Sequence, residues 1–433
     1  MTKKEFKEAM LRGLGRCVAT VRNDPEKYRD IVLWACKRDI SYDTQCESPR
    51  SWYVYTLASA YPDKETFIGA AEKSLKNRRT AGYHLQHIAE ILMYFAADGC
   101  ESARRALEDK YQEMLKEMFA RKRRPDSIFC ELFDLEQMGF VLAVDREAVL
   151  RVAGDFGRLY RKTNYLRDGD FCSFLIVKGS RYKRSLERAA RRDEDIACFL
   201  QREQAYSDSF KHQREQWEQQ NIDPTHGLKR IALSNWLRKQ GDKEMLERYA
   251  LAYREQTQPE LREEALAAFS LCRYPDDPQP IIEDARSNHE ALRDTAWRAL
   301  EHIRHPAVRE FALSNVGMGE RTLENFSLLV TNYAHEDGNL LEEHLRGLIV
   351  RKDWNGVHWA GMDIYRAFEK DSGIPHPKHL LPLLYEYTPC SVCRESALAY
   401  MSRHRMLTKE LLEECLFDSD DNIRRMAQKR LNQ

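Results

Sequence analysis

Three sets of residues in this 433-residue chain have types and spacings that suit chemistry. The first is the stretch 158–192. It carries eleven cationic residues: Arg158, Arg161, Lys162, Arg167, Lys178, Arg181, Lys183, Arg184, Arg188, Arg191 and Arg192. Only Asp168, Asp170 and Glu187 oppose them, so the stretch has a formal charge of +8. Tyr160, Tyr165, Phe171, Phe174 and Tyr182 are interleaved. Cations neutralise phosphates and aromatic faces stack on unpaired bases, so the pattern suits a polyanion such as a nucleic acid. The plainer reading is a solvated helical face, with the aromatics in the core and Asp193, Glu194 and Asp195 as ion-pair partners.

The second set is His376-x-x-His379 followed by Cys390-x-x-Cys393, with separations like those of a four-ligand zinc site. Two features oppose it. Cys393 occupies the apolar position of a recurring helical phrase, where cysteine packs as a small hydrophobe. Leu380–Tyr387 reads as a helix, which would have to bring both of its ends to one ion. The sequence therefore assigns no metal and no cofactor. The third set is Trp359 and Asp363, which share one helix face at i,i+4 spacing. Arg394 follows one repeat later and can face the same side. The plainer reading makes Trp359 core, Asp363 solvated and Arg394 an ordinary repeat residue.

Other chemistries lack support. There is no Gly-x-Ser-x-Gly nucleophile turn, and Gly13-Leu14-Gly15 lacks the spacing of a phosphate loop. His84, His87, His302 and His305 have no Cys or carboxylate cluster to complete a site. Glu131, Asp134 and Glu136 read as a charged helix start.

The elements that must position these residues read as helices. Hydrophobic content of 42% with 32% charged residues describes a globular chain, and 14 Pro with 19 Gly is low enough to favour long helices. Lys+Arg and Asp+Glu both total 69, so any attraction to a polyanion must be local. Eleven cysteines without regular pairing suit a reduced compartment. The start lacks an apolar signal segment, and the longest apolar run, 91–97, is too short to span a bilayer. The expectation is a soluble cytoplasmic protein without a membrane partner. Periodicity predicts helices over 4–21, 25–37, 64–76, 82–97, 101–121, 126–144, 146–162 and 194–220. The run 171–177 competes as a short strand. A Pro/Gly break at 221–227 divides a helical N-terminal region, 1–220, from a second region, 221–433.

The second region repeats a phrase: an apolar residue, Arg, two variable positions, then Ala. It stands at Leu261/Arg262/Ala265, Leu292/Arg293/Ala296, Val308/Arg309/Ala312, Cys393/Arg394/Ala397 and Ile423/Arg424/Ala427. Leu261 and Leu292 are 31 residues apart, Cys393 and Ile423 are 30 apart. Such a period marks a stacked array. Val308 falls out of register and suits the first helix of a unit. At this phrase the chain resembles the HEAT-like helical repeat superfamily. The resemblance implies an all-α fold, an α-solenoid of stacked antiparallel helix pairs with a concave face for a partner.

Within that superfamily Trp359, Asp363 and Arg394 are similar to the DNA alkylation-repair glycosylases. That resemblance implies that Trp359 packs on the lesion nucleotide, Asp363 stabilises positive charge and Arg394 holds a phosphate. The chain departs from the pattern near Lys429, where an aromatic is expected. The leading expectation is a non-enzymatic binding scaffold for a protein partner, with nucleic acid a candidate through 158–192. The alternative is a glycosylase acting on alkylated bases, with Trp359 and Asp363 catalytic.

Overall fold

The structure is a computed structural model. It describes residues 1–44, 46–77, 79–120, 129–163, 174–220, 243–316, 322–370 and 378–433. Among them are 23 α-helices and no strand. In chain order the first eleven are α1 (Lys3–Arg12), α2 (Arg16–Asn23), α3 (Pro25–Ala35), α4 (Ser51–Ala58), α5 (Lys64–Leu75), α6 (Gly82–Ala97), α7 (Glu101–Ala120), α8 (Phe129–Leu142), α9 (Arg146–Thr163), α10 (Phe174–Ala189) and α11 (Glu194–Gln220). The next ten are α12 (Lys243–Glu255), α13 (Pro259–Leu266), α14 (Gln279–Asp284), α15 (Glu290–Leu300), α16 (Pro306–Ser314), α17 (Thr322–Thr331), α18 (Gly338–Arg351), α19 (Trp354–Lys370), α20 (Leu380–Tyr387) and α21 (Ser391–Arg403). The last two are α22 (Lys409–Cys415) and α23 (Asp421–Leu431).

The chain forms two compact units. Unit 1 takes 1–213, 390–392 and 407–433; unit 2 takes 214–389 and 393–406. The sequence boundary at 220 falls near the first division. The expectation that the second region runs on to 433 is corrected, because 407–433 belongs with the N-terminal helices.

Unit 1 is built around α6, which packs against α4, α5, α7 and α8. Leu85, Ile88, Leu92 and Phe95 recur at helical spacing on α6 and are all buried. Each such side chain stabilises the unit by roughly 1.5–3 kcal/mol. The single helix expected over 4–21 is broken. Gly13 closes α1 in the left-handed region, φ 76°, which glycine enters without steric cost. Gly15 then starts α2 where a Cβ would collide with the Glu414 carbonyl. The Gly13 carbonyl accepts from Ser419 N at 2.9 Å. The Arg424 guanidinium lies 3.8 Å from the centre of the Trp52 ring. These contacts dock α22 and α23 on the N-terminal helices, and local sequence pattern carries no sign of them.

Unit 2 alternates two sets of helices. α13 packs on α15, α15 on α17 and α17 on α19. The intervening helices cover them: α12 against α13, α14 against α15, α16 against α17 and α18 against α19. Val308, the phrase out of register, lies on α16, in the covering set. The phrase's apolar and Ala positions at 292, 296, 308 and 312 are buried, whereas Leu261 is exposed. Its arginines bind local chain. Arg262 donates to Asp284 at 2.7 Å, Arg309 to Asp337 at 2.7 Å and Arg293 to the Ser287 carbonyl at 3.2 Å. In unit 1, Arg424 donates to the Asp418 carbonyl at 2.7 Å. The recurring Arg thus ties a helix to a neighbouring turn or helix end.

Candidate functional site

Of the residues singled out from sequence, Trp359 and Asp363 come together on α19, one turn apart. Trp359 is 46% exposed, with its ring edge-on to His358 at 5.4 Å between centroids. A large apolar ring left in water is informative, since burying it would be favourable. Asp363 is half-buried. Its partners are the Ser327 hydroxyl, which donates to it from α17, and the Arg366 guanidinium at 3.5 Å. Burial raises the Asp363 carboxyl to about 6, and Arg366 and Ser327 only partly offset that.

The sequence reading missed the second carboxylate. Glu301 directly follows α15, and the Thr331 hydroxyl at the end of α17 donates to its backbone carbonyl at 3.0 Å. Burial first, and then the negative charge on Asp363, raise the Glu301 carboxyl to about 7. Arg366 opposes the shift, Glu324 adds to it and Arg298 opposes it. Three consecutive helices of one set therefore contribute: α15 through Glu301, α17 through Ser327 and Glu324, α19 through Trp359, Asp363 and Arg366. No motif spacing connects Glu301 to Asp363, so packing alone could reveal the pair. Burial thus leaves both carboxyls with a raised affinity for protons, and the Asp363 charge adds to that at Glu301. Such a pair can exchange a proton, or hold a cation that displaces one.

Arg394 does not join them. It is fully buried in α21, so its expected role in holding a phosphate is corrected: its guanidinium offers no surface to a ligand.

The basic stretch divides. Arg158 pairs with Asp155 one turn away. Arg161 meets Asp195 at 2.8 Å and Glu194 at 3.2 Å, and Lys162 sits 5.7 Å from the centre of the Phe119 ring. Arg181, Lys183, Arg184, Arg188, Arg191 and Arg192 are exposed. Tyr160 is buried and stacks on Phe199, so it offers no face to a base; that expectation is corrected. Tyr182 is half-buried. Arg167, Tyr165 and Phe171 lie outside the described residues, as do the side chains of Lys178 and Phe174. The strand-like run 171–177 enters α10 from residue 174 onward.

Of the histidines proposed beside the Cys pair, His379 is exposed and His376 lies outside the described residues. The imidazole that meets Cys393 is His358, with Nδ1 3.4 Å from Sγ.

Unit 1 holds a cleft of about 530 Å³ over Leu85, Met114 and Met118, rimmed by Lys110, Glu113, Glu117, Glu131 and Asp134. Asp134 accepts from the Gly82 N–H at 2.5 Å and so serves the first turn of α6. Among the described residues no helix is long and apolar enough to cross a membrane. Comparison with protein-family models, with curated proteins and with solved structures finds no match for this chain.

Proposed function

We propose that the chain is a non-enzymatic binding scaffold of stacked antiparallel helix pairs, which uses Trp359, Asp363 and Glu301 to hold a cationic side chain of a protein partner. The carrying observation is the exposed Trp359 ring one turn from Asp363, whose carboxyl is raised to about 6 and whose charge helps raise Glu301 to about 7. A ring face attracts a cation, and a nearby carboxylate pair multiplies that attraction. Lysine or arginine answers both features. The pairwise packing of α12–α19 and the recurring Arg that ties helix to turn support the stacked arrangement.

Calorimetric titration with a lysine- and arginine-rich peptide tests this reading. A bound cation favours the ionised acids, so affinity should rise as pH increases from 5.5 to 7.5, with protons released on binding. The double variant Glu301→Gln/Asp363→Asn should lose at least tenfold in affinity. Affinity independent of pH, or unchanged in that variant, would refute the proposal.

The exposed Trp359 one turn from Asp363 also favours a second reading, the alkylation-repair glycosylase. Release of 3-methyladenine or 7-methylguanine from alkylated DNA by the wild type, but not by Asp363→Asn, would establish it. The buried Arg394 weighs against it, because the phosphate contact has no donor there.

A further inference from the structure

The basic stretch holds two kinds of cation, and the fold separates them. Arg158, Arg161 and Lys162, on α9, are engaged by Asp155, by Asp195 with Glu194, and by the Phe119 ring. Six others stand exposed on α10 and the turn 190–192: Arg181, Lys183, Arg184, Arg188, Arg191 and Arg192. Among the described residues none of the six has a carboxylate in an ion pair. The acids that the sequence offers as partners serve α11 and α9 instead. Asp193 Oδ1 accepts from Asp195 N at 2.9 Å and from Ile196 N at 3.1 Å, while Glu194 and Asp195 hold Arg161. Within 181–192 Glu187 is the single acid, and it is exposed as well. All of these groups belong to unit 1.

Arg181, Arg184 and Arg188 recur at spacings of three and four, so they form one stripe along α10. Arg188 Nε donates to the Arg184 carbonyl at 3.2 Å, which lays its side chain along that stripe. Like charges at such spacings repel, and an anion relieves that cost. The opposite face of α10 is committed to the core: Leu186 is buried and the helix packs on α8 and α9.

The chemistry of the exposed face narrows what it fits. Five of the six cations are arginine, whose planar fork matches phosphate oxygens two at a time. No large apolar side chain is exposed over 181–192, so this face has nothing to insert into a bilayer. It offers no exposed ring either: Tyr160 is buried against Phe199 and Tyr182 is half-buried. Binding of unpaired bases rests on such rings. A duplex needs none, because its bases are paired and its phosphates line the outside at about one charge per 1.7 Å of axis. At about 1.5 Å per residue the stripe from Arg181 to Arg188 spans about 10 Å, over which a duplex presents about six phosphates.

We propose that the exposed face of α10 and the turn 190–192 docks the phosphate backbone of a nucleic-acid duplex, independently of base sequence. It belongs to the other unit from Trp359 and takes the opposite charge, so it stands apart from the binding reading above.

The test is fluorescence anisotropy of the full-length chain with a labelled DNA duplex of mixed sequence, across a salt series. With six phosphate contacts, affinity should fall about a thousandfold between about 50 and 200 mM salt. Arg181→Gln/Arg184→Gln/Arg188→Gln should bind at least tenfold more weakly at low salt, with a salt slope smaller by about 3. Lys4→Gln/Lys27→Gln/Lys429→Gln removes as much charge from exposed positions on α1, α3 and α23 and should change affinity about twofold at most. Circular dichroism on each variant separates loss of contact from loss of fold. An oligothymidine strand of equal length and phosphatidylserine vesicles, titrated beside the duplex, should both bind more weakly. Duplex affinity independent of salt, or unchanged in the folded arginine variant, overturns the proposal. Tighter binding of the single strand or of the vesicles overturns it too.

Discussion

Charged groups are placed inside both units, but to opposite ends. In unit 1, Arg50 and Glu47 are an ion pair with side-chain exposures of 1% and 0%. Arg50 Nη2 meets Glu47 Oε2 at 2.6 Å, Nε meets the same oxygen at 3.1 Å, and Nη1 donates to the Leu11 carbonyl. Opposite charges and a backbone acceptor meet there, and neither side chain faces solvent. In unit 2, Glu301 and Asp363 are half-buried like charges, and Asp363 shares its helix with the exposed Trp359. In the first arrangement the opposing charge comes from within the fold. The second raises the cost of its own ionisation, and a ligand of opposite charge would relieve that cost. Buried charge therefore reads as structure when its partner is internal, and as a binding feature when like charges meet near the surface.

The largest expected effect lies on the satisfied side of this contrast. Arg50→Ala strands a buried carboxylate and should destabilise unit 1 by about 3–5 kcal/mol, measured by urea unfolding of the full chain. A loss below about 1 kcal/mol would mean that the pair is not the closed unit described.

The two units should next differ in the sign of their pH response. His87 is buried in unit 1, 3.4 Å from Asp39, and burial holds its pKa down at about 4. The folded chain refuses a proton that the unfolded chain accepts near 6.5, so His87 costs stability as pH falls from about 6.5 to about 4. His87→Phe should remove on the order of 2 kcal/mol of that acid sensitivity. Glu301 behaves in reverse. Its pKa is raised from 4.5 to about 7, so its penalty grows as pH rises through that window. Glu301→Gln should gain on the order of 1–2 kcal/mol at pH 8 and nothing at pH 4. Equal slopes for both variants would erase the contrast.

The smallest effect sharpens it. Trp359→Ala should change stability by no more than about 0.5 kcal/mol, since the ring is half in water. The same change should weaken binding of a cationic peptide about tenfold, read in the same calorimeter.

Helices were the most legible part of the sequence. α6 and α11 follow the expected bounds, because helical periodicity and the polar breaks that flank it are local signals. The break between α1 and α2 was harder to see. Gly13-Leu14-Gly15 sits in a helical pattern, and the need for Gly15 becomes apparent only once the Glu414 carbonyl is beside it. For the same reason Ile423/Arg424/Ala427 read as one more repeat, whereas its helix packs in the first unit. The candidate site was half visible. Trp359 and Asp363 share a helix face by spacing alone, while Ser327 reaches Asp363, and the Asp363 charge acts on Glu301, through packing between helices that no spacing encodes. Arg394 shows the converse: its repeat position was legible, its complete burial was not.

The docking of α22 and α23 on the first helices also bears on how the protein is made. Nearly the whole chain separates Gly13 from Ser419, yet their backbones are hydrogen-bonded. On the ribosome, the first four helices emerge long before the strip that covers them. Unit 2 has its stretch 214–389 ready first, while unit 1 must wait for 407–433. Contacts that close so large a loop form late and slow folding. Cutting the chain after residue 406 would therefore expose a hydrophobic face at the beginning of the protein, far in sequence from the cut.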